Sequence, residues 1–97
     1  MAKIMTENPL EISGGHCHTG TAPFPAQTRG VRINGFAVLR NGDAYAPASC
    51  GDNNHSRECF SISHRSVRVN NYAVFTTDDF LACGEPAGIA RHFVFVN

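Results

Sequence analysis

The side chains with the most obvious chemistry in this sequence of 97 residues are cysteines at 17, 50, 59 and 83 and histidines at 16, 18, 55, 64 and 92. In a short secreted chain, four cysteines would read as two disulfides. The N-terminal run MAKIMTENPLEI has no continuous apolar stretch and no small-residue cleavage site, and does not read as a secretory signal. Four thiols beside five imidazoles then read as a metal site in a reducing compartment. His16-Cys17-His18 sets two imidazoles two residues apart, on the same side of an extended segment. Cys83 ends a turn, and His55 lies in a long loop with Cys50 and Cys59, which remain alternative sulfur donors.

Two other chemistries are weaker. Cys83 with any of the histidines could be a nucleophile and its base. That pairing has little specificity, there is no evident oxyanion-hole loop, and so small a domain has little room for a substrate cleft. A nucleic-acid zinc module needs closely paired Cys and His ligands, and the intervals 17 to 50, 50 to 59 and 59 to 83 fit none. Eight basic and eight acidic residues also leave no net charge to attract phosphates. The chain therefore reads as non-enzymatic and without a nucleic-acid partner.

What must position these residues is a small single domain, 42% apolar but with nine glycines, five prolines and no tryptophan. Only 16% of residues are charged and Lys3 is the only lysine, a surface suited to being covered by a partner. No apolar run approaches the ~20 residues that span a bilayer. No window carries a sustained i, i+3, i+4 apolar stripe, so the fold class is all-β with very little helix.

Self-comparison gives the architecture. Val31-Arg32-Ile33-Asn34-Gly35-Phe36-Ala37-Val38 recurs 36 residues on as Val67-Arg68-Val69-Asn70-Asn71-Tyr72-Ala73-Val74, and Asp43 falls on Asp79 at the same offset. A third copy, Val94-Phe95-Val96-Asn97, contains only the first strand. The V-x-[IV]-N pattern alternates like a half-buried strand, and Asn34-Gly35 and Asn70-Asn71 are hairpin turns. Asn41-Gly42-Asp43 and Thr77-Asp78-Asp79 are turns that end the return strands. Residues 1–12 read as an N-terminal arm ordered by contact with something else, 13–97 as the domain, and Ala44–Phe60 as a long irregular loop. His64 and His92 read as surface or capping residues, and the arginines as solvated strand faces.

These repeats, the Gly-Asp or Asp-Asp turns after them, Cys83-Gly84 and the closing V-F-V-N resemble the PAAR-repeat family over residues 13–97. The sequence is most similar to the short tip proteins of T-even-type contractile phages. The resemblance implies a pseudo-threefold β cone capping the blunt end of a trimeric, membrane-piercing spike, in a phage tail or a type VI secretion system. It also implies a metal near the apex. Carried over residue by residue, the ligands would be Cys83, His16 and His18, with His55 by rough position. Zinc is the expected ion, with iron the alternative if histidines dominate. Related phage-type sequences often carry a histidine where Pro47 stands, and having both His16 and His18 would compensate. The expected partner is a spike trimer, one cap per trimer, with transient contact with the target envelope. The expected location is the virion tail tip, or the cytoplasm and then the outside on a type VI spike. The alternative is a small zinc-stabilised adaptor that recruits an effector to such a spike.

Overall fold

Asn34 and Gly35 take φ of +53° and +85°, and Asn70 and Asn71 take +49° and +69°. These left-handed conformations turn a two-residue hairpin whose twist matches its strands. In this computed structural model, which describes residues 2–15, 19–47, 49–50, 53–54 and 57–96 (backbone alone at 49–50 and 53–54), the chain forms ten two-residue strands. They are β1 (Ala2–Lys3), β2 (Arg32–Ile33), β3 (Phe36–Ala37), β4 (Ser49–Cys50), β5 (Asn53–Asn54), β6 (Cys59–Phe60), β7 (Arg68–Val69), β8 (Tyr72–Ala73), β9 (Phe80–Leu81) and β10 (Phe95–Val96). All pair antiparallel, as β2–β3, β7–β8, β4–β5, β6–β9 and β1–β10. No helix occurs among the described residues, as the missing helical stripe requires.

The third copy of the repeat is completed from the other end of the sequence. Lys3 faces Phe95 as Ala37 faces Arg32 and Ala73 faces Arg68; Ala2 faces Val96 as Phe36 faces Ile33 and Tyr72 faces Val69. Residues 2–12, expected within an arm, are instead built into the fold. Met5, Thr6 and Glu11 are fully buried there.

The three return segments then close on one another. Met5 N–H donates to Phe75 O (2.8 Å), Phe75 N–H to Leu39 O (3.0 Å), and Leu39 N–H to Met5 O (2.9 Å). A second set closes a cycle in the opposite sense, each bond 2.9 Å: Glu7 N–H to Ala37 O, Asn41 N–H to Ala73 O, and Thr77 N–H to Lys3 O. Across the two sets each segment therefore donates to both neighbours and accepts from both. Alternation sorts the side chains. Met5, Leu39 and Phe75 enter the main core with Tyr45, Cys59 and Leu81, and Tyr45 meets Phe75 edge-on at 6.1 Å. Ile4, Val38 and Val74 join Ile33, Val67 and Val69 in a second cluster.

Three buried carboxylates lock the segments to the stretches that lead into each hairpin. Asp43 accepts from the amides of Arg40 and Gln27, both at 2.9 Å. Asp79 accepts from Thr76, Ile62 and Ser63, and Glu11 from Thr6 and Arg91. Arg40, Thr76 and Thr6 each follow a member of the Leu39, Phe75, Met5 cycle, so Glu11 is the third counterpart of the two aspartates. Each amide bond to a charged acceptor contributes about 1.5–3 kcal/mol.

The stretch Ala44–Phe60 is not irregular throughout. Ala44 bridges Glu58, Tyr45 N–H donates to Arg57 O (3.0 Å), and β6 pairs with β9, because Tyr45 and Cys59 are core residues.

Glu7 adds an acid-sensitive tie. Burial pushes its carboxyl up, but the amides of Ala37 and Ala26 (both 3.0 Å) and the Arg29 guanidinium outweigh this and hold it below the ordinary glutamate range. Its contribution is present above the unfolded value of about 4.3 and is lost as pH falls through the lower folded value. Glu7→Gln is therefore expected to flatten the acid limb of a stability-versus-pH curve read by thermal melting, with the wild type losing more stability than the variant below about pH 4.3.

Candidate functional site

Cys83 lies in a turn between β9 and Glu85. Leu81 N–H donates to Glu85 O (2.7 Å) and Gly84 N–H to Leu81 O (2.8 Å), with Gly84 at φ +92°. The turn leaves Cys83 half-buried against the main core, its thiol free.

Beside this turn sits a buried Arg57–Glu85 ion pair. The Arg57 guanidinium donates to Glu85, to the Ser13 hydroxyl (3.1 Å), to Thr21 Oγ1 (2.6 Å) and to Ala46 O (3.2 Å). Glu85 also accepts from Gly15 N–H at 3.1 Å. Burial pushes the Glu85 carboxyl up, but hydrogen bonds from Ser13 and Arg57, with the Arg57 charge, bring it below the ordinary range. An ion pair taken out of water is tolerated when its remaining donors and acceptors are satisfied in this way.

The network ties three chain segments together. Gly15 precedes His16, Arg57 follows His55 by two positions, and Glu85 follows Cys83 by two. Of the four residues expected as ligands, Cys83 is placed as described, whereas His16, His18 and His55 lie outside the described residues. Among the described residues no group of three or more His, Cys, Asp or Glu could hold a metal ion.

The other histidines and Cys59 have structural employment. His92 is buried, its Nε2 bonded to Ile4 O (2.5 Å) while Nδ1 accepts Val94 N–H (2.9 Å). His64 pairs with Asp78 at 3.0 Å. Cys59 is a core residue whose thiol is pushed well up by burial and by the nearby Asp43 and Asp79 charges, the opposite of an activated thiolate.

Sequence reasoning missed Arg57 and Glu85. Arginines scattered without a run read as solvated faces, yet Arg57 is buried. The available signal was position: an arginine and a glutamate each two residues beyond a candidate ligand.

The hairpins form a second candidate surface. Val31, Tyr72 and Phe95, on or beside β2, β8 and β10, are all exposed apolar side chains. Arg32 and Arg68 each donate to a carbonyl of their own turn, Gly35 and Asn71, at 3.0 and 2.9 Å. Phe95 takes their register position in the third hairpin, where the Lys3 ammonium lies over the rings of Phe93 (4.8 Å) and Phe95 (5.5 Å).

No protein-family model and no curated protein matches the sequence.

Proposed function

We propose that this chain is a structural cap for the blunt end of a trimeric, membrane-piercing spike, as its likeness to PAAR-repeat proteins implies. The observation that carries the reading is the closed cycle of hydrogen bonds among Met5, Leu39 and Phe75. Three like segments around one line give a single chain three similar hairpin edges. A blunt trimer ends in three equivalent strand edges with unpaired backbone groups, and one such chain can extend all three by strand addition. Principal extents of 37 × 23 × 23 Å agree, since a threefold body has one unique length and two equal widths.

At the end around Cys83 the reading calls for one structural zinc, or iron, held by Cys83 with His16, His18 and His55. The donor set suits a closed tetrahedral site, and the Arg57–Glu85–Gly15 network draws together the flanks of those residues. The ion would supply a rigid cross-link between the segments that carry those residues. Such a cap would work at the tail tip of a virion or on a secreted type VI spike, without catalysis.

Native mass spectrometry of the chain co-expressed with the spike of its own system tests the reading. One chain per three spike subunits is expected. The double variant Val31→Glu, Phe95→Glu should lose the complex while the free chain melts as before. Three chains per trimer, or a complex indifferent to both substitutions, would contradict it.

A further inference from the structure

A cleft opens between residues 10–14 and 88–91. Its floor is backbone against backbone: a Cβ on Gly88 would stand 2.2 Å from Ile12 O, and Gly14 N–H donates to Pro86 O at 2.9 Å. Its walls are Leu10, Ile12 and Ile89, and Leu10 and Ile89 are 65% and 71% exposed, high for large aliphatic side chains. The volume is about 220 Å³, below the roughly 300–1,000 Å³ of small-molecule sites. It suits a single side chain.

The rim is cationic. Arg91 lines the cleft, and its guanidinium makes one hydrogen bond among the described residues, from Nε to Leu10 O (3.3 Å), leaving the terminal nitrogens for solvent. The amides of Gly88 and Ile89 donate to no described residue. The nearby carboxylate, Glu11, is buried with its oxygens taken by the Thr6 and Arg91 amides. The other repeats do not join an exposed aliphatic to a cation in this way. At the positions matching Arg91 stand buried Thr28 and His64 paired with Asp78, and at those matching Ile89 stand Ala26, 4% exposed, and Ile62, 43% exposed.

We propose that this cleft binds the carboxyl terminus of a partner polypeptide ending in a large aliphatic residue. An aliphatic pocket, a guanidinium with open terminal nitrogens and two neighbouring unpaired amides match a terminal residue, whose carboxylate and side chain share one carbon. Captured terminal carboxylates are held by backbone donors in this way, and arginine is the side chain best shaped to grip one. None of the cleft residues belongs to a hairpin strand. The site therefore does not depend on the cap reading, and one occupant per chain is expected.

The test is a ¹H–¹⁵N titration of the full chain with acetyl-Gly-Gly-Leu as the free acid, its C-terminal amide, and acetyl-Gly-Gly-Gly. The acid should shift the amides of Gly14, Gly88, Ile89 and Arg91 saturably, and bind at least about tenfold more tightly than the amide, the worth of one charge-assisted bond, and more tightly than the glycine peptide, which has no aliphatic side chain to bury. Arg91→Gln should reduce the acid to the level of the amide. Ile89→Asp, at an exposed position, should abolish the shifts and leave the rest of the spectrum in place. Equal binding of acid and amide, or no shift at about 10 mM peptide, would overturn the proposal. So would cleft shifts that follow protein concentration without peptide, because a second copy would then be the occupant.

Discussion

Dialysis of the full chain against a strong chelator is expected to unfold it at room temperature. A structural zinc contributes on the order of 10 kcal/mol to folding, and a domain of this size has a total stability of about 5–15 kcal/mol. Losing the first consumes the second. Before chelation, elemental analysis should find one metal ion per chain. Cys83→Ser should reproduce most of the loss, since its thiol is free and half-buried. His64→Ala should cost only about 1 kcal/mol, the worth of one hydrogen bond, because His64 is engaged with Asp78. A metal-free chain that melts cooperatively at an ordinary temperature would contradict this, as would equal effects of the two substitutions.

The second large effect concerns the ion pair behind that turn. Glu85→Ala is expected to cost about 3–5 kcal/mol, because it leaves the Arg57 guanidinium buried without its counter-charge. At about 4–8 °C per kcal/mol for so small a domain, the melting temperature should fall by more than about 12 °C. The diagnostic comparison is Arg57→Met with Glu85→Leu. Replacing both charges by apolar groups of similar size removes the desolvation penalty along with the attraction, and is often neutral. The double variant should therefore recover most of the stability lost by Glu85→Ala. It should also bind metal more weakly than wild type, because Gly15 N–H loses its acceptor beside His16. A double variant as unstable as the single one would mean that the lost hydrogen bonds to Ser13, Thr21, Ala46 and Gly15, and not the unpaired charge, carry the cost.

The parts of the fold that were legible in the sequence are those with local physical causes. Asn34-Gly35 and Asn70-Asn71 announce their turns because few residues tolerate positive φ, and the 36-residue offset aligns both hairpins and both aspartates. The third hairpin was half legible. Its strands β10 and β1 come from opposite ends of the sequence, so no offset connects Phe95 to Lys3. For the same reason Glu11 could not be matched with Asp43 and Asp79. Its longer side chain also reaches back from a different distance along the chain, five residues from Thr6 instead of three from Arg40 or Thr76.

Around the candidate site, the turn carrying Cys83 followed from Cys83-Gly84. The pairing of Arg57 with Glu85 did not, because burial of the charge depends on partners such as Glu85 and Ser13, 28 and 44 residues away. Residues 2–12 were misread for a related reason. Their apolar members, Ala2, Ile4, Met5, Leu10 and Ile12, follow no period, and what buries Met5 is the cycle of three segments, a property of the assembled fold.

Electron cryo-microscopy of the spike, purified with and without this chain, tests the central claim most directly. The account predicts a single additional density on the threefold axis at the blunt end, lengthening the spike by roughly the 37 Å of the free chain. Density on the flanks of the spike, or one copy on each subunit, would contradict it.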